Sequence, residues 1–150
     1  MRIAIVASQF NEKFVDVLLE GTQQRLRELQ IPDTVVTVIR VPGAVEIPIT
    51  AQRLARTEKY AVIVALGVVI RGETSHYEYV CSQVSEGCGR VALDYNLPVI
   101  LGVLMAENEE QVLSRLGGVH GHKGYEFADA ALQMVAILKK IEGVYHAKNA

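Results

Sequence analysis

Four short apolar runs, rich in Val, Ile, Leu and Ala, alternate along this chain with longer segments of helical periodicity. The runs cover Ile3–Ala7, Val35–Val41, Ala61–Leu66 and Val99–Leu104. Because they are apolar almost without interruption, we expect strands that are buried on both faces, as in a parallel sheet. The helical segments cover Phe14–Leu29, Glu46–Thr57, Tyr77–Tyr95, Glu109–Leu116 and Tyr125–Glu142. This alternation predicts an α/β fold, a three-layer αβα sandwich around a four-stranded parallel sheet.

Length and charge narrow the class of protein further. A chain of 150 residues, half of them hydrophobic, suits a single domain over residues 1–150. The net charge of −2 gives no electrostatic reason to expect nucleic acid or an anionic membrane as partner. No apolar run is long enough to span a bilayer, since Arg71 and Glu73 end the longest one. Because Met1-Arg2 leads directly into the first strand, we expect no signal peptide.

The two cysteines indicate a reducing compartment. Cys81 and Cys88 are seven residues apart on one predicted helix, on the same face but too far apart to form a disulfide. We expect buried free thiols and a cytoplasmic protein. No His or carboxylate cluster with metal-ligand spacing surrounds them, so no metal site is expected.

The loop after the third strand is the strongest indication of chemistry. Ligands of parallel α/β folds bind at the carboxyl ends of strands, against helix N-termini. Here Gly72 lets a backbone N–H approach a phosphate, Thr74 adds a hydroxyl, and His76 can transfer a proton near neutral pH. Glu73 could help a phosphate only through its backbone N–H. The alternative is that His76 is an ordinary surface residue.

Other strand ends carry residues with two interpretations each. Phe10 could stack on a flat heterocycle, or it could cap the core as a staple for the next helix. Glu46 could accept hydroxyl hydrogens of a polyol, although a first-turn carboxylate favoured by the helix dipole is the simpler interpretation. Arg115 suits a phosphate but could be a solvated helix-end cation. We interpret His120 and His122 as residues of a flexible glycine-rich loop.

Together these motifs have the order and spacing of a known enzyme family. They are Phe10-Asn11, Val41–Pro48, Leu66–His76, Gly102–Leu104, Glu107–Gln111, Arg115 and Lys123-Gly124. The chain resembles the 6,7-dimethyl-8-ribityllumazine synthases of riboflavin biosynthesis over nearly its whole length. The resemblance implies a flavodoxin-like fold and the condensation of 5-amino-6-(D-ribitylamino)uracil with 3,4-dihydroxy-2-butanone 4-phosphate. The products would be 6,7-dimethyl-8-ribityllumazine, phosphate and water, and neither cofactor nor metal would be required.

The resemblance also implies a role for each matched residue. His76 would be the catalytic residue that transfers protons. The residues that would bind the ribitylaminouracil are Phe10, Ala44, Val45, Glu46, Val68, Val69, Ile70, Leu101 and Lys123. The residues that would bind the butanone phosphate are Glu73 through its backbone, Thr74 and Arg115.

The family resemblance implies a homopentamer with active sites between adjacent subunits. Leu101, Arg115 and Lys123 would come from the neighbour of the chain that supplies Phe10 and His76. Two features of the sequence give opposite indications about whether such pentamers form an icosahedral capsid of sixty subunits. The chain begins at the first core strand, whereas many family members add an N-terminal strand that pairs with the neighbour. The segment from 115 to 123 lacks an insertion, which favours the capsid.

Two departures from the family pattern keep other functions open. Leu101 stands where the family usually has a Phe facing the ligand ring, and Met105-Ala106 replaces a usual Thr-Thr or similar pair. One alternative is a flavodoxin-like module that binds a flavin or nucleotide without chemistry. It would explain Phe10 but not the combination of His76 and Arg115. The other is a structural shell protein with a degenerate site, against which the retained site residues argue.

Overall fold

The computed structural model describes the backbone of residues 1–149 and the side chains of residues 1–143. The main sheet contains β1 (Ile3–Ser8), β2 (Val36–Val41), β3 (Val62–Ile70) and β4 (Val99–Ala106). The helices are α1 (Glu12–Glu28), α2 (Ile47–Ala55), α3 (His76–Asp94), α4 (Glu109–Leu113) and α5 (Lys123–Asn149). A short hairpin of β5 (Leu116–Gly118) and β6 (Gly121–His122) precedes α5, and single 3₁₀ turns lie at Asp33–Val35 and Ala44–Glu46.

The four main strands are parallel and lie in the order β2-β1-β3-β4. On one face, Ile5 and Val64 pack with Leu18 of α1 and Ala128 of α5. A second apolar cluster, which includes Ile47 of α2, fills the space between the other face and helices α2 and α3. The predicted three-layer αβα sandwich with a four-stranded parallel sheet is therefore confirmed.

Burial along the strands follows their position in the sheet. All six residues of the internal strand β1 are buried, as expected of a strand covered on both faces. The edge strand β2 is only half-buried up to Arg40, so the expectation of complete burial is wrong there. Strand β3 continues past the predicted end at Leu66 to Ile70, because its pairing with β4 continues from Gly67 onward.

The glycine-rich segment after α4 is a hairpin, and the prediction of a flexible loop is wrong. Leu116 pairs with His122 across the hairpin, and the backbone N–H of Lys123 donates to the Arg115 carbonyl at 2.8 Å. Gly117 and Gly121 have φ angles of 99° and 73°, a left-handed region that glycine enters without strain. Helix α5 consequently begins at Lys123, two residues before the predicted start.

The topology places a crevice at the carboxyl ends of the central strands. Strand β2 lies beside β1 on one side, and the chain then crosses to β3, which lies beside β1 on the other side. Where the strand order reverses in this way, the following loops diverge and leave a crevice above the sheet. The loops after β1, β2 and β3 all open into that crevice.

Candidate functional site

A cleft of about 440 Å³ occupies the crevice at the carboxyl edge of the sheet. Its walls come from the loops that follow β1, β2 and β3, from the last residues of β3 and from the start of α3. The lining residues are Phe10, Asn11, Pro42, Gly43, Ala44, Val45, Glu46, Val68, Val69, Ile70, Gly72, Thr74, His76, Tyr77 and Val80. Nine of the residues predicted for the site are among them: Phe10, Ala44, Val45, Glu46, Val68, Val69, Ile70, Thr74 and His76.

An exposed aromatic ring forms one wall of the cleft. The Phe10 side chain is 73% exposed, so its ring contributes little to the core of this chain. Its backbone N–H donates to the Pro42 carbonyl at 3.0 Å, which fixes the loop after β1 against the loop after β2. This exposure favours a ring that is available for stacking over the alternative of a staple for α1.

Asn11 supports this wall and was not predicted as a site residue. It takes a left-handed conformation with φ 60° and ψ 41°, which Asn tolerates better than most residues. Its side-chain amide donates to the carbonyl of Val68 at 2.8 Å and so joins the loop after β1 to the cleft floor. The sequence pair Phe10-Asn11 contained this signal, since Asn directly before a helix is typical of a left-handed turn or cap.

The floor of the cleft is the last part of β3. Strand β1 pairs with β3 only as far as Leu66, whereas β4 pairs with it as far as Ile70. The edge of residues 67–70 that faces away from β4 is therefore not covered by β1. The Val68 carbonyl already accepts from Asn11, and the other backbone groups along this edge are available to a flat heterocycle. Val68 and Val69 supply apolar surface beside them.

A half-buried carboxylate lies in the part of the cleft that follows β2. Glu46 is half-buried, and among the described residues its Oε2 atom is buried without a hydrogen-bond partner. A buried acceptor without a donor is unfavourable, so this oxygen is prepared for a ligand hydroxyl or N–H. The 3₁₀ turn that carries it begins after Gly43, whose conformation is extended. The geometry thus favours the ligand-binding interpretation of Glu46 over a simple helix-dipole role.

The opposite end of the cleft combines a hydroxyl and an imidazole. Thr74 Oγ1 accepts a hydrogen bond from the His76 backbone N–H at 3.3 Å. His76 is the first residue of α3, and its exposed side chain faces the cleft. Glu73 lies between two lining residues, but its own side chain is exposed and does not line the cleft. This agrees with the expectation that only its backbone is useful there.

Arg71 fixes the base of this loop. Its Nε donates to Glu107 at 2.6 Å, its Nη1 contacts Glu78 at 3.4 Å, and its guanidinium lies 4.4 Å from the Tyr77 ring centre. The hydrogen bond with Glu107 raises the pKa of Arg71 above its ordinary value, with a smaller contribution from Glu78. The two carboxylates hold the guanidinium in place, and Arg71 does not line the cleft, so its role is to order the loop from outside the cleft.

Three predicted site residues lie away from the cleft of the same chain. Leu101 is 40% exposed in the edge strand β4, and it pairs with Ala65. Arg115 follows α4, and its guanidinium donates to the Gln111 carbonyl at 2.8 Å. Lys123 begins α5 and contacts Glu126 at 3.2 Å. None of the three lines the cleft.

The structure also bears on metals, thiols and membranes. No group of three or more His, Cys, Asp or Glu side chains among the described residues is arranged to hold a metal ion. Both cysteines are free thiols, and Cys88 is buried as expected, whereas the expectation that Cys81 is buried is wrong because it is only half-buried. Burial raises the pKa of Cys88 to about 11. In the part of the chain that the structure describes, every helix is too short or too polar to cross a membrane.

The fold defines a flavodoxin-like α/β protein with a cleft of about 440 Å³ at the carboxyl edge of its main sheet. The chain belongs to the 6,7-dimethyl-8-ribityllumazine synthase family, whose family model matches residues 1–139. A 6,7-dimethyl-8-ribityllumazine synthase from the Dugway strain of Coxiella burnetii is 52% identical over 141 residues, 94% of this chain and 93% of the relative. The protein of the same name from the Nine Mile phase I strain is 51% identical with the same coverage.

Proposed function

We propose that the cleft is the site at which this chain condenses 5-amino-6-(D-ribitylamino)uracil with 3,4-dihydroxy-2-butanone 4-phosphate. The chain is an enzyme of the family that forms 6,7-dimethyl-8-ribityllumazine, with release of phosphate and water. One observation carries the assignment to this cleft. Phe10, Glu46, Thr74 and His76, from three separate strand ends, line a single cavity.

The ribitylaminouracil would lie across the cleft from the turn after β2, past the loop after β1, to the end of β3. Its ring stacks on Phe10 and forms hydrogen bonds with the backbone of residues 68–70. Its ribityl hydroxyls bind at the turn of Ala44, Val45 and Glu46. The buried Glu46 oxygen without a partner supports this placement, because a ribityl hydroxyl supplies the missing donor.

The butanone phosphate would bind near the first turn of α3. The Thr74 hydroxyl and the Glu73 backbone N–H donate to the phosphate, with the helix N-terminus oriented favourably for an anion. Arg115 of an adjacent subunit adds a planar fork of donors that matches two phosphate oxygens. Arg71 of the same chain does not line the cleft, which supports the choice of an arginine from the adjacent subunit as the phosphate ligand.

The chemistry depends mainly on holding the two substrates together. The amine of the uracil is already nucleophilic, so orientation alone can contribute an effective molarity of the order of 10⁵ M. His76 assists imine formation and phosphate loss by moving protons, which adds roughly 10²–10⁴-fold. The reaction as proposed uses neither cofactor nor metal.

We propose further that the active unit is a homopentamer with each site between two subunits. Leu101, Arg115 and Lys123 would come from the neighbour, and their position outside the cleft of their own chain supports this arrangement. Two small molecules are the substrates, and neither nucleic acid nor membrane is a partner. Light scattering distinguishes a pentamer from an icosahedral capsid of sixty subunits.

Two expectations about the whole chain belong to this proposal. Residues 1–150 form one domain, which the single four-stranded sheet supports. The protein works in the cytoplasm, and the free thiols of Cys81 and Cys88 support this location.

The direct test mixes purified protein with both substrates and follows lumazine absorbance and fluorescence against the uncatalysed background. A rate clearly above background is expected, and Leu101 is then a tolerated replacement for the usual Phe. No rate from protein that is folded and oligomeric by light scattering would contradict the proposal. Tight flavin binding without turnover would then favour the binding module.

A further inference from the structure

The ring of His122 is enclosed at the contact between α1 and α5. A Cβ atom built at Gly21 of α1 would overlap the His122 ring, lying 2.6 Å from Nε2 and 2.8 Å from Nδ1. A Cβ atom at Gly124 of α5 would lie 2.6 Å from the carbonyl oxygen of Leu18 in α1 and 3.0 Å from His122 Cε1. The two helices therefore approach backbone to backbone, and the imidazole fills the notch at Gly21.

The same ring binds the first turn of α5. The backbone N–H of Gly124 donates to His122 Nδ1 at 3.1 Å. This bond occupies one of the N–H groups that a helix N-terminus leaves without an intrahelical partner. The Tyr125 ring centre lies 5.1 Å from the His122 ring centre and covers another side of the imidazole. His122 is thus a helix cap held in a fixed position by α1.

The residues on either side of the hairpin depend on this arrangement. His122 pairs with Leu116 in the hairpin, and the next backbone bond joins the Lys123 N–H to the Arg115 carbonyl. Lys123 directly follows His122, and Arg115 directly precedes Leu116. A displaced His122 therefore moves both cations, although its own side chain does not line the cleft.

We propose that His122 is a positioning residue that holds Lys123 and Arg115 in register for the substrates of the adjacent subunit. The inference rests on the proposed function, and it replaces the interpretation of His122 as a residue of a flexible loop. The notch at Gly21 fixes the position of the imidazole ring, and the hydrogen bond to Gly124 fixes the start of α5. The backbone pairing of the hairpin then holds Lys123 and Arg115 relative to both.

Kinetics of His122 variants test the proposal. His122→Ala removes both the ring and the cap, so we expect KM for both substrates to rise roughly three- to tenfold, the effect of about one capping hydrogen bond. The kcat value stays within about twofold, because His76 is untouched. In His122→Asn the amide oxygen can accept from the N–H two residues on, so this variant restores most of the loss. Unchanged KM values in a folded His122→Ala enzyme would refute the role.

A double-mutant cycle separates positioning from general stability. If His122 acts through Lys123, His122→Ala raises KM for the ribitylaminouracil much less in a Lys123→Ala background than in the wild type. Equal effects in both backgrounds would contradict the proposal. If the protein shows no measurable turnover, amide hydrogen exchange tests directly whether His122 orders the start of α5. The Lys123 and Gly124 amides should exchange faster in His122→Ala and recover protection in His122→Asn, whereas unchanged protection would refute the inference even if the proposed function fails.

Discussion

Replacing Phe10 by Ala should separate binding from folding in this protein. The Phe10 ring is 73% exposed, whereas the ring of Phe14, four residues further on, is only 5% exposed within the core. Removing an exposed side chain changes the free energy of unfolding by no more than about 0.5 kcal/mol. Removing a buried Phe costs about 3–5 kcal/mol. Phe14→Ala is therefore the matched control.

The loss of stacking determines the expected kinetic effect of Phe10→Ala. Stacking of a base on an aromatic side chain is worth about 1–3 kcal/mol by alanine substitution. This corresponds to an increase of roughly 5- to 150-fold in KM for the ribitylaminouracil. The KM for the butanone phosphate should change little, because Thr74 and Arg115 bind that substrate in the proposed site. Phe10→Tyr keeps the ring and should stay near the wild-type value.

Two assays check this prediction, namely steady-state kinetics with each substrate varied in turn and urea unfolding at a fixed subunit concentration. The concentration must be fixed because association contributes to stability in an oligomer. A loss of more than about 2 kcal/mol of stability in Phe10→Ala would restore the helix-staple interpretation. An unchanged KM for the ribitylaminouracil would refute the stacking role.

Three further variants test the remaining assignments. His76→Ala should lower kcat by roughly 10²–10⁴-fold yet leave a measurable rate, and loss of all activity in a folded variant would contradict the orientation argument. Arg115→Ala should chiefly raise KM for the butanone phosphate, and an unchanged KM would exclude this residue as phosphate ligand. Burial raises the pKa of Cys88 from 9.0 to about 11, so the folded state holds this proton more tightly than the unfolded chain. This tighter proton binding contributes at most about 3 kcal/mol to the free energy of unfolding. The contribution is present in full below pH 9 and is lost as pH rises through 11. Between pH 9 and 11 the free energy of unfolding, measured in urea, should fall more steeply with pH in the wild type than in Cys88→Ala. Equal slopes in the two proteins would refute the raised pKa of Cys88.

The main sheet could be predicted because its strands have a distinctive composition. Residues 3–7 and 61–66 are apolar at nearly every position, and only strands covered on both faces need that pattern. The third apolar run is predicted to end at Leu66, before Gly67, although the apolar residues 68–70 continue the strand. Gly67 pairs with Val103 of β4, and a Cβ atom there would lie 2.9 Å from the buried Ser8 hydroxyl, so this strand position favours glycine. Such a close approach depends on tertiary packing.

The glycine-rich hairpin shows a second limit of sequence reasoning. Gly117, Gly118 and Gly121 are typical of a flexible segment, and local composition gives no reason to expect order. The order comes from contacts with distant residues, above all the His122 ring at Gly21. Local patterns do not contain this information.

The site itself was partly accessible from the sequence. Residues that follow strands in a parallel sheet converge at one edge, which explains why Phe10, Glu46 and His76 could be grouped before their positions were known. Asn11 and Arg71 act through contacts with distant backbone and carboxylate groups, so their roles required the structure. The arrangement of Arg115 relative to the cleft depends on a second subunit, and no single-chain pattern determines it.

A complementation experiment tests the central claim, that each active site joins the cleft of one chain to Arg115 of the next. Glu46→Ala and Arg115→Ala chains, each with its own affinity tag, are co-expressed and purified through both tags. If the site lies between subunits, about one quarter of the sites in a randomly mixed oligomer regain both residues. We expect a rate of lumazine formation well above that of either parent oligomer. A rate equal to the average of the two parents would contradict it, because each chain would then carry its own complete but defective site.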